Sequence, residues 1–259
     1  MEQYRLGFIG CGNMASAILY GAVDAGFLDP QTTYLYDVSQ EAVERAAART
    51  GAHSVATLAQ LIENSDILLM GVKPGVVPKV VEEGKAALAQ KPIISIAAGW
   101  SHTKYRELLP ITHILPIMPN TPVLVGEGMT LFEKENSFSE KEFTFAKSMF
   151  ESIGSVEILP SDLMGVAGTV SGCGPAFVYM MIEALGDGAV KLGLPRPIAY
   201  KLASQMIAGS GKMQLVTGAH PGKLKDDVCS PGGLTIRGVK ALEDGGFRSA
   251  IIQAVEDAT

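Results

Sequence analysis

The chain has 259 residues, enough for one large domain or two modest ones. Hydrophobic residues make up 47% and charged residues 19% of the sequence, which indicates an ample core and some additional surface buried in an oligomer. The formal net charge of -6, without any run of Lys and Arg, argues against nucleic acid as a partner.

Three cysteines without a C-x-x-C pair predict no disulfide framework, and four scattered histidines predict no metal site. The N-terminus begins a strand without a signal peptide, so we expect a cytoplasmic protein. The uncharged run between Asp162 and Glu183 is as long as a membrane span, but its glycines and Pro175 favour a turn followed by a buried helix. We therefore expect no membrane association.

A glycine motif follows the first predicted strand, residues 6–9. Gly10, Gly12 and Ala15 fit the pattern G-x-G-x-x-G/A and open a predicted helix. Gly10 allows a sharp turn, and the lack of a side chain at Gly12 lets backbone amides approach a pyrophosphate. The small Ala15 lets the helix pack closely on the sheet. The motif predicts a dinucleotide site; the alternative is a tight turn that binds no ligand.

A second predicted strand, residues 33–36, ends in Asp37, at the place expected for an acid that binds a ribose. Further apolar runs at residues 66–71, 92–97 and 112–117 are typical of buried parallel strands. This alternation predicts an α/β fold, with an N-terminal Rossmann-type doubly wound, mostly parallel sheet over residues 1–160.

The remaining residues, 161–259, predict an all-α C-terminal dimerisation domain. Residues 177–182 are apolar on every side of a helix, and such a helix is buried all round. Further helices are predicted through Val216 and from Phe247 to Asp257, with no strand after Leu159.

Ligands of doubly wound sheets bind outside the carboxyl ends of the strands. The candidate cofactor-binding residues follow these ends: Gly10, Gly12, Asn13, Met14, Ala15, Asp37, Val72, Lys73, Pro74, Ala97, Ala98 and Asn120. Lys73 is either a phosphate ligand or a solvated loop lysine. Asn120 either binds the nicotinamide ribose, which we favour, or only forms a turn.

Five stretches together resemble the pyrroline-5-carboxylate reductase family. They are residues 7–15, Val72-Lys73-Pro74, Met118-Pro119-Asn120-Thr121-Pro122, Ser171-Gly172-Cys173-Gly174-Pro175-Ala176 and Ser230-Pro231-Gly232-Gly233-Leu234-Thr235-Ile236. The resemblance implies the NAD(P)H-dependent reduction of 1-pyrroline-5-carboxylate to L-proline. It also implies a homodimer through the C-terminal helices, in which the cofactor domain of one copy meets the substrate loop of the other.

The last of these stretches is the candidate substrate site. Ser230 and the amides of Gly232, Gly233 and Leu234 precede a helix, a favourable place for a carboxylate. In the family this loop holds the substrate carboxylate, and the threonine that matches Thr235 hydrogen-bonds the ring nitrogen. Thr235 is therefore the candidate catalytic residue. The alternative is a Pro-Gly-Gly turn without a ligand.

The chemistry favours an imine over a ketone. A protonated cyclic imine accepts hydride without the strong acid that ketone reduction needs. No lysine lies between Lys147 and Lys191, so the chain lacks the lysine acid of hydroxyacid dehydrogenases. Two alternatives stay open: a related imine or small-hydroxyacid oxidoreductase of the same architecture, and a non-catalytic dinucleotide or imine sensor.

The chain departs from the family at three places. Pro116 stands where the family usually has Arg, and Leu234 where it has a second Thr. Asp37 stands where members that use NADPH carry Asn or Ser with a nearby Arg. Because Asp37 should accept a ribose 2′-OH and repel a 2′-phosphate, and because Arg45 and Arg49 lie far along the next helix, we predict that NADH is favoured.

Overall fold

The computed structural model describes residues 4–259. The chain forms two compact units, of which the first ends at Gly172 and the second is Cys173–Thr259. The division falls inside a helical segment, Ser161–Lys191. The domain boundary expected between residues 160 and 161 stays a prediction.

Within the described residues, eight strands form one sheet in the first unit. They are β1 (Leu6–Ile9), β2 (Thr33–Tyr36), β3 (His53–Ser54), β4 (Ile67–Met70), β5 (Ile93–Ser95), β6 (Ile114–Met118), β7 (Gly128–Glu133) and β8 (Gly154–Leu159). Their order in the sheet is β3-β2-β1-β4-β5-β6-β7-β8. Only β6 and β7 pair antiparallel, so the mostly parallel, doubly wound sheet is confirmed.

Helices cover both faces of the sheet. They are α1 (Asn13–Asp24), α2 (Gln40–Thr50), α3 (Leu58–Asn64), α4 (Val77–Leu88), α5 (His102–Leu108), α6 (Glu140–Glu151) and α7 (Met164–Gly168). One hydrophobic core contains Leu69 of β4 and side chains of α1, α2 and α6. The other contains Leu68 of the same strand and side chains of α3, α4 and α5. Neighbouring residues of β4 therefore enter opposite cores, which explains why its sequence is apolar throughout.

Side-chain caps fix the starts of two helices of the first unit. The Ser39 side chain accepts the amide of Ala42 at the start of α2. Ser139 and Glu142 form a complete capping box at the start of α6. These reciprocal bonds satisfy amides that would otherwise lack acceptors, and they fix where each helix begins.

The parallel strands bring their carboxyl ends to one edge, which we call the carboxyl edge. In the registers of the sheet, Ile9 lies beside Tyr36 and Met70, and Ser95 lies beside Met70 and Pro116. The loops that begin at Gly10, Asp37, Gly71, Ile96 and Pro119 consequently leave the sheet on the same side.

The second unit contains helices α8 (Gly174–Lys191), α9 (Arg196–Thr217), α10 (Pro221–Val228), α11 (Leu234–Asp244) and α12 (Phe247–Ala258), and no strand among its described residues. Gly186 of α8 allows close packing, since a Cβ there would lie 2.4 Å from the Tyr200 ring of α9. Among the described residues of this unit only Gly186, Ala199 and Ala203 are buried. A single copy of these helices therefore lacks a core of ordinary size.

The turn expected in the uncharged run after Asp162 does not interrupt the helical segment that leads into α8. Residues Thr169–Cys173 form a π-helical turn that joins α7 to α8. The wider turn keeps the segment helical through its glycines, and the Ser171 carbonyl accepts the side-chain amide of Asn120 at 2.9 Å.

The segment Ser161–Lys191 is long and apolar enough to cross a membrane by length and composition alone, a criterion that core helices of soluble proteins also meet.

Candidate active site

The glycine motif forms the centre of the carboxyl edge. Gly10 has φ +99°, and a Cβ there would lie 3.0 Å from the Gly71 backbone, so only glycine fits. A Cβ on Gly71 would in turn lie 2.7 Å from the Ala15 Cβ, which shows how closely α1 approaches the end of β4.

Gly12 differs from Gly10 because no internal contact requires a glycine there. A Cβ at Gly12 would meet nothing within 4 Å. Gly12 is also the N-cap of α1, has no side chain to cap the helix, and is followed by a first turn without an acidic residue. The amides of Asn13, Met14 and Ala15 therefore begin a helix whose end lacks a side-chain acceptor. This end fits a pyrophosphate, since it offers donors, a positive helix dipole and open space.

Asp37 is held rigidly beside this motif. Its carboxylate accepts the amide of Cys11 at 2.7 Å and the amide of Ser39 at 2.8 Å. The Gly10 amide donates to the Tyr36 carbonyl at 2.7 Å, so a second bond joins the end of β2 to the motif. A carboxylate has about four acceptor positions, and two of them remain for a ligand.

Cys11, in the middle of the motif, is buried. Burial first, and the nearby Asp37 carboxylate second, raise the pKa of its thiol to about 12, while the Arg45 guanidinium opposes this shift. The thiol is therefore neutral at physiological pH and packs as a small apolar side chain.

The loops after β4 and β5 lie side by side. Val72, Lys73 and Pro74 lead into a 3₁₀ turn, Pro74–Val76, and Lys73 is exposed. No hydrogen bond or ion pair engages the Lys73 amine within residues 4–259, so both interpretations of this lysine stay open. Ala97 is buried and Ala98 exposed, and the Ala97 amide donates to the Ser95 hydroxyl at 3.2 Å.

Asn120 has internal partners for both groups of its side chain. Its Oδ1 accepts the amide of Met129 at 2.9 Å, and its Nδ2 donates to the Ser171 carbonyl at 2.9 Å. The residue is 8% exposed and joins the start of β7 to the π-helical turn. These bonds give Asn120 a structural role, and its contact with the nicotinamide ribose stays a prediction.

The second unit carries the predicted substrate loop. The Gly233 amide donates to the Ser230 carbonyl at 3.0 Å, and Gly232 has φ +70°, as in a type II turn with Pro231 before the glycine. A Cβ on Gly233 would lie 2.4 Å from the Ser230 Oγ. The turn therefore requires glycine at Gly232, whereas a side chain at Gly233 would displace the Ser230 hydroxyl.

This turn opens α11 without a cap. Gly233 is the N-cap of α11 and offers no side-chain acceptor. Leu234 and Thr235 form the first turn and are exposed, and no protein group within residues 4–259 hydrogen-bonds the Thr235 hydroxyl. The loop thus presents helix amides and a hydroxyl, the donors and acceptor that a small carboxylate with a ring nitrogen needs.

Three residues near these loops were not predicted from the sequence. Val38, next to Asp37, is 92% exposed at the carboxyl edge, and Trp100 donates its indole N–H to the Pro74 carbonyl at 2.9 Å. Arg237 donates to the Gly232 carbonyl at 3.2 Å from the first turns of α11. Exposure and contacts between loops identify them, and neither can be read from residue spacing.

Two models of known protein families match different parts of the chain. Residues 161–259 match the family model described as pyrroline-5-carboxylate reductase dimerisation. Residues 5–99 match the family model described as NADP oxidoreductase coenzyme F420-dependent. The first supports a homo-oligomer and the second a nicotinamide dinucleotide site.

Individual relatives are similar over nearly the whole chain. Pyrroline-5-carboxylate reductase of Escherichia coli is 40% identical over 98% of this chain and 95% of its own length. That of Glycine max is 39% identical over 98% of this chain and 93% of its own. The crystal structure of Plasmodium falciparum pyrroline carboxylate reductase with NADP bound superposes with a TM-score of 0.90 at 33% identity, over 100% of this chain and 96% of that one. On the evidence of its sheet, its glycine-opened loops and these relatives, the chain belongs to the pyrroline-5-carboxylate reductase family.

Proposed function

We propose that this chain reduces the C=N bond of 1-pyrroline-5-carboxylate to give L-proline, with NADH or NADPH as the hydride donor. The observation that carries the proposal is that two helices begin at an uncapped glycine in the extended conformation, α1 at Gly12 and α11 at Gly233, whereas the uncapped Gly246 at the start of α12 is left-handed. An uncapped helix N-terminus is a site for an anion. The reaction brings two anionic groups, the cofactor pyrophosphate and the substrate carboxylate, and the chain offers one such site for each.

The cofactor would lie across the carboxyl edge. The amides of Asn13, Met14 and Ala15 bind its pyrophosphate, and the Asp37 carboxylate accepts the adenosine ribose hydroxyls. The loops after β4, β5 and β6 line the nicotinamide half with Val72, Lys73, Pro74, Ala97, Ala98 and Asn120. The exposed Val38 provides an apolar surface beside the adenine.

The substrate would bind at the Ser230–Thr235 loop. Its carboxylate accepts the amides of Gly233 and Leu234 and the hydroxyl of Ser230. The imine nitrogen is basic and enters protonated, so its N–H donates a hydrogen bond to the Thr235 hydroxyl oxygen, which orients the ring.

A nicotinamide held by these loops would supply the hydride that the imine carbon accepts. As that C–H bond forms, the C=N π electrons return to nitrogen, and the resulting amine takes up its second proton from solvent as the product leaves the site. The chain needs no strong general acid for this step, because the electrophile is already protonated. Its residues orient the two reactants and exclude water.

The charges around Asp37 support the choice of NADH over NADPH. The two amides that hold Asp37 keep its negative charge where the 2′-phosphate of NADPH would be placed. The cations of α2 already have acidic partners: Arg45 lies 3.8 Å from Glu41, and Arg49 lies 2.6 Å from Asp24. We therefore propose that NADH is the better donor, although the Plasmodium relative was solved with NADP.

The working unit would be a homodimer formed through the C-terminal helices. Tyr179 and Met180 on α8 and Leu202 on α9 are 61%, 69% and 57% exposed in a single copy, and a second copy would bury them. The family resemblance implies that the cofactor loops of one copy meet the substrate loop of its partner. We propose that the protein acts in the cytoplasm, without membrane or nucleic acid.

A substrate panel tests this function against its competitors. The purified chain is supplied with NADH and NADPH and with 1-pyrroline-5-carboxylate, other cyclic imines and small keto acids. We expect turnover with 1-pyrroline-5-carboxylate to exceed that with the others. Faster turnover of a keto acid would favour a hydroxyacid dehydrogenase, and tight NADH binding without turnover of any compound would favour a sensor.

A further inference from the structure

Trp100, the one tryptophan of the chain, ends a tight turn after β5. Its backbone amide donates to the Ala97 carbonyl at 3.1 Å, and Gly99 has φ +72°, the left-handed conformation that a type II turn requires. The Lys104 amine donates to the Gly99 carbonyl at 2.6 Å and holds the turn against the start of α5. The turn that carries the indole is therefore well defined before any ligand binds.

The indole joins this loop to the neighbouring one. Its Nε1–H donates to the carbonyl of Pro74 at 2.9 Å, across from the loop after β5 to the loop after β4. Pro74 begins the 3₁₀ turn, and its carbonyl also accepts the Val77 amide. The indole thus holds the Lys73–Pro74 backbone at a fixed separation from the turn at Ala97.

The indole packs against a buried aromatic side chain. The ring of Tyr105 lies 5.1 Å from that of Trp100, centroid to centroid. Tyr105 is fully buried, its hydroxyl lies 2.6 Å from the Ser95 Oγ, and that Oγ accepts the Ala97 amide. A continuous set of contacts therefore runs from Pro74 through Trp100, Tyr105 and Ser95 to Ala97.

We infer that Trp100 is a positioning residue for the cofactor, which sets the spacing between the loops after β4 and β5. The inference rests on the proposed function, which places both loops against the nicotinamide half of the cofactor. Trp100 itself needs no contact with the substrate. Its loss should let the two loops move independently, so the cofactor would have to order them on binding. The affinity for the cofactor should then fall, while the rate of the chemical step should change little.

The test compares Trp100→Phe with the wild type. Phenylalanine keeps an aromatic ring over Tyr105 but has no N–H for Pro74. We expect the dissociation constant and KM for NADH to rise by roughly two- to tenfold, which corresponds to one lost hydrogen bond. The KM for 1-pyrroline-5-carboxylate and kcat should change by less than about twofold. Tyr105→Phe, which breaks the bond to Ser95, should act in the same direction.

A control separates positioning from general stability. Ser139→Ala removes the capping box of α6, far along the chain from both loops, and should lower the melting temperature without changing NADH affinity. If Trp100→Phe binds NADH as the wild type does, or if Ser139→Ala weakens binding equally at equal loss of stability, the inference is wrong. If the wild-type chain binds neither NADH nor NADPH, the proposed function itself fails, and the inference fails with it.

Discussion

Replacement of Asp37 by serine tests the cofactor assignment, because it should change the ratio of kcat/KM for NADH to kcat/KM for NADPH. The variant removes one negative charge and both acceptors for the Cys11 and Ser39 amides. The lost amide bonds weaken the motif for NADH and NADPH alike, by ~1 kcal/mol. Only NADH also loses a hydrogen bond from its ribose to a charged group, which contributes ~1.5–3 kcal/mol. The ratio of kcat/KM for NADH to that for NADPH should therefore fall by roughly 10- to 100-fold.

Steady-state kinetics with each cofactor at saturating 1-pyrroline-5-carboxylate measures this ratio. Asp29→Ser is the matched control, because it makes the same change in charge before β2, whereas Asp37 follows that strand, and serine can still cap the turn Pro30–Thr32. The control should leave the ratio unchanged. A wild-type kcat/KM that is far higher with NADPH, or an unchanged ratio in Asp37→Ser, would refute the reasoning about Asp37.

Three further predictions concern other parts of the site. Thr235→Ala should lower kcat/KM by roughly 10- to 100-fold with little change in NADH affinity, while Thr235→Ser should keep most activity; near-normal turnover of the alanine variant would remove Thr235 from the mechanism. Cys11 should resist a maleimide at pH 8 in the native protein, because its pKa is raised to about 12 by burial, and rapid labelling seen by mass spectrometry would contradict its buried position. Gly12→Val and Gly233→Val should each be inactive alone, but their co-expressed mixture should recover about a quarter of wild-type activity if each site is shared between two copies, because half of the dimers are mixed and each mixed dimer has one intact site of two; assembled yet inactive mixtures would place each site within one chain.

The parallel strands and several helix starts could be predicted because local physics determines them. Strands β1, β2 and β4 are short apolar runs, and Ser39 and Ser139 each satisfy amides within three residues. Strand β7 was not predicted. Its last residue, Glu133, is buried, and its carboxylate accepts hydrogen bonds from the His102 amide at 3.1 Å and from the Ser161 hydroxyl at 2.5 Å. Partners so distant in sequence leave no local signal.

The loops of the site could be predicted, but the contacts of their side chains could not. Gly10 and Gly232 have positive φ, a conformation that glycine adopts at little cost, so glycine at these positions is consistent with the turns that the sequence predicts. The bonds of Asn120 to Met129 and Ser171, and that of Trp100 to Pro74, depend on how neighbouring strands place their loops. Those distances follow from the register of the sheet, which spacing in the sequence does not give.

The most direct test of the central claim is the stoichiometry of the reaction. The purified chain is incubated with NADH and with 1-pyrroline-5-carboxylate in limiting amount, and L-proline is measured by mass spectrometry beside the loss of NADH absorbance. We expect one proline to form for each NADH oxidised, with Thr235→Ala slower but of the same stoichiometry. Oxidation of NADH without proline, or an absence of oxidation with both NADH and NADPH, would contradict this expectation.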